Sequence, residues 1–308
     1  MRFASALDPA LRGRGLRQTT LARELPIPGE NLTLIGHSRA ADSTAFFVPE
    51  LRLALDAGPG SPVHPQWPAM VLITHQHSDH SYGITSLITR RIRPRVCVPR
   101  STAATLEDYI VASHLLNHGS DSALKREDFV SNQIITPVSP GDIVSMDEHP
   151  NLEIEVVDCH HSCDAVGYVL FRTKDVLRDE LKGLPGAELK RLRTESEEPI
   201  TRRVRKPLFA FMADTTPAAL QNAIWLRSLP VLIIECTFIK DSHRENAERT
   251  KHTLWSDLVP IIKAHPETTF ILTHFSHQYT EQGIISFFKG LDDPPPNIVI
   301  WLQDDEDK

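Results

Sequence analysis

The stretch "THQHSDH", residues 74 to 80, sets three histidines and an aspartate within six positions. The run "VLIT" (71–74) leading into it reads as a buried strand, and 82–91 after it as a short helix. His75, His77, Asp79 and His80 therefore stand in a strand-to-helix turn, where α/β proteins usually gather their chemistry. His75 and His77 are two apart, so on an extended strand end they point the same way. Asp79 and His80 follow once the chain has turned. Two pairs directed into one space suit two metal ions better than one, and each ion needs more ligands than this stretch supplies.

Further ligands are expected at other strand ends. "VVDCHHSCDAVGY" puts His160 and His161 just after an apolar run, "FAFMADTT" ends one at Asp214, and "FILTHFSHQY" ends one at His274. Counting one of the His160–His161 pair, seven candidate ligands result. Alone, each would read as a satisfied strand-end side chain; together they point to metal. Histidine and carboxylate donors without an obligatory thiolate suit Zn²⁺, with Mn²⁺ or Fe²⁺ as substitutes. Two ions about 3.5–4 Å apart, bridged by a carboxylate and a water, make that water a nucleophile near neutral pH. They also steady the charge that develops on a substrate oxygen. The implied chemistry is hydrolysis.

The elements that must hold these residues can be read from the rest of the chain. Apolar runs at 31–36, 43–48, 51–58, 70–74, 95–99, 152–159, 167–171, 208–214, 231–238, 269–275 and 297–302 are mostly bounded by Gly, Pro, Asn or Asp and read as strands. Segments 82–91, 101–116, 217–227, 245–264 and 279–289 read as helices. Many strands with interspersed helices indicate a layered α/β protein. The 308 residues, 41% hydrophobic and 24% charged, fit a soluble globular chain, read as one domain over 1–308 with its core at about 31–302. No apolar run approaches the roughly 20 residues of a membrane helix, and the N-terminus lacks the apolar core of a secretory signal, so no membrane association and a cytoplasmic location are expected. Four cysteines fit reduced thiols better than a disulfide framework. A net charge of −7 excludes attraction of nucleic acid by overall charge and leaves a local basic patch open. One such patch is the charged insertion 172–206, with eleven Lys/Arg against seven Asp/Glu; it reads either as a solvated surface segment or as an arm touching a phosphate backbone.

Other polar residues have simpler readings. Asp56 in "LDAG" is expected to fix a loop beneath the metals, and His114 and His118 to lie on the surface. Cys159 and Cys163 flank His161 and suggest a thiolate ligand, but a free cysteine is usually a small buried hydrophobe, and that reading is preferred.

"THQHSDH" has the HxHxDH form of the metallo-β-lactamase superfamily, and the chain resembles it from about Asn31 to Leu302. The resemblance implies an αββα sandwich: two facing mixed sheets, helices outside, metals at one edge. It assigns His75, His77 and His161 to the first metal, Asp79, His80 and His274 to the second, and Asp214 to both. His161 is chosen over His160 because the family ligand stands six residues before a Gly-Tyr pair, here Gly167-Tyr168. "VLIIECTF", with Glu235, His252 in "KHTLWSDL", "THFSHQYT" and the region 31–58 narrow the resemblance to short, plant-type ribonuclease Z. That branch cuts the 3′ trailer from precursor tRNA. It implies zinc-dependent attack by a metal hydroxide oriented by Asp79, with His252, held by Glu235, protonating the leaving oxygen, and a homodimer that shares the tRNA. The alternative is a small-molecule hydrolase of the same fold, acting on a phosphodiester, lactone or β-lactam. Gln278 stands where the family has Arg, and the bacterial "PxKxRN" loop is replaced by "GHSRAADST" with Arg39.

Overall fold

The apolar runs assemble into two mixed sheets. In the computed structural model, residues 2–4, 23–60, 67–88, 92–119, 125–131, 134–196 and 198–302 are described. One sheet orders β1 (Arg2–Ala4), β15 (Ile298–Trp301), β14 (Thr269–Thr273), β13 (Val231–Glu235), β12 (Thr201–Phe211), β11 (Ala165–Leu177), β10 (His149–Cys159) and β9 (Ile143–Met146). The other orders β2 (Arg23–Pro26), β3 (Thr33–Arg39), β4 (Ser43–Val48), β5 (Leu53–Leu55), β6 (Met70–Leu72), β7 (Arg95–Pro99) and β8 (Ile135–Val138). Each sheet is parallel in one half and antiparallel in the other: β1, β15, β14, β13 and β12 run parallel, as do β5 to β8. Strands covered on both faces are mostly apolar, and "VLIIE" and "STAFFV" are buried at every position, their polar residues Glu235, Ser43 and Thr44 included.

Three apolar layers follow. Between the sheets, Phe46 meets Phe211 and Trp301 edge-on at 5.9 and 5.2 Å between ring centroids. Outside the first sheet lie α7 (Trp255–Ala264) and α8 (Glu281–Lys289), through Trp255, Leu258, Ile262, Ile284 and Phe288. Outside the second lie α2 (Ile84–Leu87) and α3 (Ala103–His118), through Ile84, Leu87, Leu106 and Ile110. This is the expected αββα sandwich. Tyr168 ties the sheets together: its hydroxyl donates to the Ile73 carbonyl at 2.7 Å, just before the histidine-rich turn.

Several elements differ from the sequence reading. The helix expected at 82–91 is two short turns, α1 (Ser78–Ser81) and α2, and residues 89–91 lie outside the described residues. Segment 217–227 holds only 3-10 turns, because Leu220, Leu226 and Leu229 all reach the core at a spacing that one straight helix does not place on one stripe. The helix expected at 245–264 divides into α6 (Arg244–Thr250) and α7. Lys251 ends α6 in the left-handed region, its N–H bonded to the Ala247 and Glu248 carbonyls. His114 is buried, not at the surface, with Nε2 against the Ile88 carbonyl at 2.9 Å.

The charged insertion is a protruding arm. β11 and β12 continue as an antiparallel ribbon well past the core, and α5 (Gly186–Glu195) lies at its tip. Eight of its eleven cations (Arg172, Arg178, Lys182, Arg191, Arg202, Arg203, Arg205 and Lys206) stand within ion-pair distance of a carboxylate. Exposed pairs of this kind stabilise little, but each places an anion beside the cation and reduces the arm's net attraction for phosphate.

Candidate metal centre

The carboxyl ends of β6, β10, β12, β13 and β14 open at one edge of the sandwich, and every candidate ligand follows one of them. The Nε2 of His75 and the Nδ1 of His77 are 3.1 Å apart, and that Nδ1 is 3.2 Å from His161 Nε2. A tetrahedral ion with metal–nitrogen bonds of about 2.0 Å would set its nitrogens about 3.3 Å apart. The second group is spaced alike. His80 Nε2 and His274 Nε2 are 3.3 Å apart, and Asp79 Oδ2 lies 3.4 Å from His274 and 3.6 Å from His80.

Asp214 stands between the two groups. Its Oδ1 is 3.3 Å from both His80 and His274, and its Oδ2 is 3.7 Å from His75 and 3.9 Å from His161. Oδ1 is buried and has no hydrogen-bond partner. A buried carboxylate oxygen costs free energy unless something positive meets it. Oδ1, facing the imidazole nitrogens of His80 and His274, therefore fits one cation, and Oδ2, turned to His75 and His161, fits a second.

The outer nitrogens of four of the five histidines are fixed by protein oxygens, which leaves their inner ones as lone-pair donors. His80 Nδ1–H donates to Asp56 at 2.7 Å, His161 Nδ1–H to the Lys251 carbonyl at 3.1 Å, His274 Nδ1–H to Thr237 Oγ1 at 3.0 Å, and His75 Nδ1–H to Thr74 Oγ1 at 3.1 Å. Asp56 also accepts from the Thr74 backbone N–H at 2.7 Å, so it holds the turn and orients His80 together.

The charge states agree with a ligand role. Burial pushes the pKa values of His75, His77 and His161 down, so they are neutral donors. Burial opposes charge on His80 too, but Asp214 and Asp56 on its two sides raise its pKa well above the usual range. A cation between His80 and Asp214 would take that proton's place. Burial would raise Asp214, yet His274 and His80 keep it well below the ordinary carboxylate range. Asp79, opposed by burial but hydrogen-bonded to His274, is held at about 2.

Backbone strain collects at this edge. Among the described residues, five non-glycine positions have positive φ, and four of them serve the array. His274 is itself a candidate ligand, Asp56 and Lys251 orient His80 and His161, and the Ala41 N–H donates to Asp79 Oδ2 at 2.9 Å. Such conformations cost about 1–3 kcal/mol each and persist where the surroundings enforce them.

Gly58 permits a close backbone approach at this edge. A methyl there would lie 2.2 Å from the Asp79 carbonyl oxygen and 2.5 Å from Ser43 Oγ. Gly58→Ala is expected to cost about 3 kcal/mol, the upper range for overpacking, because two of the three nearest atoms, the Asp79 carbonyl oxygen and the Thr44 nitrogen, are backbone. Unfolding midpoints in denaturant, with metal content measured alongside, check this; an unchanged midpoint would show that the turn can shift freely.

Beside the array lies a second polar group. Glu235 is fully buried. It accepts from the backbone N–H groups of Thr215 (2.8 Å), Thr253 (3.1 Å) and Thr237 (3.3 Å), from the Thr237 hydroxyl, and from His252 Nδ1–H at 2.8 Å. The break between α6 and α7 is what turns His252 toward Glu235. Burial would lower the pKa of His252, but the Glu235 carboxylate raises it to about 9. Thr237, which contacts both Glu235 and His274, was not singled out by sequence; its only signal was its place in the Glu-x-Thr-Phe stretch. Gln278 is exposed, and its backbone N–H is held by Ser276 Oγ at 3.2 Å.

A sandwich of two mixed sheets with a His/Asp array at this edge defines a hydrolase of the metallo-β-lactamase fold. Residues 47–275 match the family described as the β-lactamase superfamily domain. The chain belongs to that superfamily and, within it, to the ribonuclease Z branch, being 30% identical over 278 residues to tRNase Z TRZ1 of Arabidopsis thaliana, with 87% of this chain and 91% of that protein covered. Among solved structures, the metallo-β-lactamase fold protein YhfI of Bacillus subtilis aligns at a TM-score of 0.54 and 12% identity, covering 89% of this chain and 98% of that one. The short form of human tRNase Z aligns at 0.50 and 15%, covering 87% and 95%. These two likenesses concern the fold alone. No helix among the described residues is long and apolar enough to cross a membrane.

Proposed function

We propose that this chain is a two-zinc endoribonuclease that removes the 3′ trailer of precursor tRNA. His75, His77 and His161 would hold one ion, Asp79, His80 and His274 the other, and Asp214 both. Bound divalent ions would supply a water nucleophile at neutral pH and stabilise charge on the phosphoryl oxygens. The residues do the positioning. Asp79 stays ionised and accepts a hydrogen bond from the attacking water, which aims it at the phosphorus. His252, held by Glu235, donates a proton to the leaving 3′ oxygen.

The observation that carries this reading is the Glu235–His252 pair beside the array. A metal array alone would serve lactones, β-lactams or phosphodiesters equally. A fixed proton donor adds what a poor leaving group such as a ribose oxygen requires. The name of the Arabidopsis relative points the same way. A small-molecule phosphodiesterase is the second reading, favoured by the ion pairs that occupy the arm's cations and by Gln278.

The test is cleavage of a 3′-extended precursor tRNA by the zinc-loaded protein. A single cut after the discriminator base, leaving a 3′-hydroxyl, is expected. Hydrolysis of bis(p-nitrophenyl) phosphate with no cut in the RNA would favour the second reading.

A further inference from the structure

From the converging donors we infer that Cys163 is an additional, thiolate ligand of the ion held by His75, His77 and His161. The inference rests on the two-metal reading above.

By sequence, a thiolate ligand at Cys159 or Cys163 ranks below a small buried hydrophobe, and the structure separates the two cysteines. The Cys163 sulfur and one nitrogen from each of the three histidines all lie within 4.8 Å of one another. Cys97, Cys159 and Cys236 are buried, whereas Cys163 is half-buried. The hairpin after β10 explains the placement: His161 and Cys163 are two apart and reach the same space. An independent feature marks this space for cations. Asp214, 2% exposed, turns its Oδ2 to this space, 3.7 Å from His75 and 3.9 Å from His161.

Coordination would release the thiol proton to solvent and form a metal–sulfur bond in its place. The consequence is selectivity. Histidine and carboxylate donors serve Zn²⁺, Mn²⁺ and Fe²⁺ alike, whereas a soft thiolate favours Zn²⁺. The first position would then be a zinc position, and the second, with Asp79, His80 and His274, the less discriminating one.

X-ray absorption at the zinc edge of the wild-type holoprotein tests this without reference to activity. The expected result is a sulfur shell at about 2.3 Å, one sulfur for every two zinc ions. In Co²⁺-loaded protein, a thiolate-to-metal charge-transfer band should be present, lost in Cys163→Ser and kept in Cys159→Ser. Zinc affinity at one of the two positions should fall on the order of ten-fold or more in Cys163→Ser, the scale seen for losing even an outer partner of a ligand. Two zinc ions bound with only nitrogen and oxygen neighbours would overturn the Cys163 assignment and leave the two-metal reading intact. Failure of the wild-type chain to bind zinc would overturn both.

Discussion

Asp214→Ala is expected to lose both metal ions and all measurable hydrolysis. Each oxygen of Asp214 faces a different group of histidines, so one substitution removes a donor from both. It also removes the negative charge that lets two cations sit side by side. Altering an outer partner of a ligand already lowers metal affinity about 10–100-fold, and a shared inner donor should exceed that for each ion. Asp79→Ala is the internal comparison. Asp79 approaches only His80 and His274, so that variant should keep the ion of the His75/His77/His161 group. Metal analysis after dialysis separates the cases: near zero ions per chain for Asp214→Ala and about one for Asp79→Ala, given the two-metal centre. Two ions retained by Asp214→Ala would refute the bridging assignment.

How far the sequence reveals such a site depends on where each residue lies. The strand cores were legible because parallel strands covered on both faces are mostly apolar, and "VLIIE" or "FILT" has no other comfortable home. The ends of those strands were legible too, since a polar residue just after such a run has few places to point. That places His75, Asp214 and His274 on one edge as soon as the sheets are known. Ribbon lengths were not legible. β11 and β12 run on through charged residues whose pairing partners, Glu30 and Glu153 among them, come from distant segments. Nor was the turn at Lys251, because nothing in "AERTKHTLW" marks a non-glycine residue for the left-handed region. That turn is fixed by the tertiary fold, which draws the Thr253 N–H and His252 onto Glu235. Thr237 was obscure for a related reason: its hydroxyl meets His274 from another strand, and local spacing carries no record of that.

His252→Ala is expected to slow precursor tRNA cleavage by about 10²–10⁴-fold, the usual contribution of a positioned general acid, while leaving metal content unchanged. The geometry gives His252 one fixed task. Its Nδ1–H is committed to Glu235 at 2.8 Å, so Nε2 is the atom left to meet a substrate. Only a leaving group that needs a proton should miss it. p-Nitrophenolate departs without one, so hydrolysis of bis(p-nitrophenyl) phosphate by His252→Ala should fall less than about ten-fold. Glu235→Gln should show the same split in weaker form, because the amide keeps a hydrogen-bond acceptor for His252 but not the charge that holds its proton. Two outcomes would sink the assignment. Equal losses on both substrates would mean that His252 acts on the attacking side or on the phosphoryl group. Loss of an ion would mean that His252, 3.9 Å from Asp214 Oδ2 and packed against the His161 ring at 4.9 Å between centroids, is itself a ligand. The difference between the two substrates, more than the size of either loss, identifies the proton that His252 would deliver.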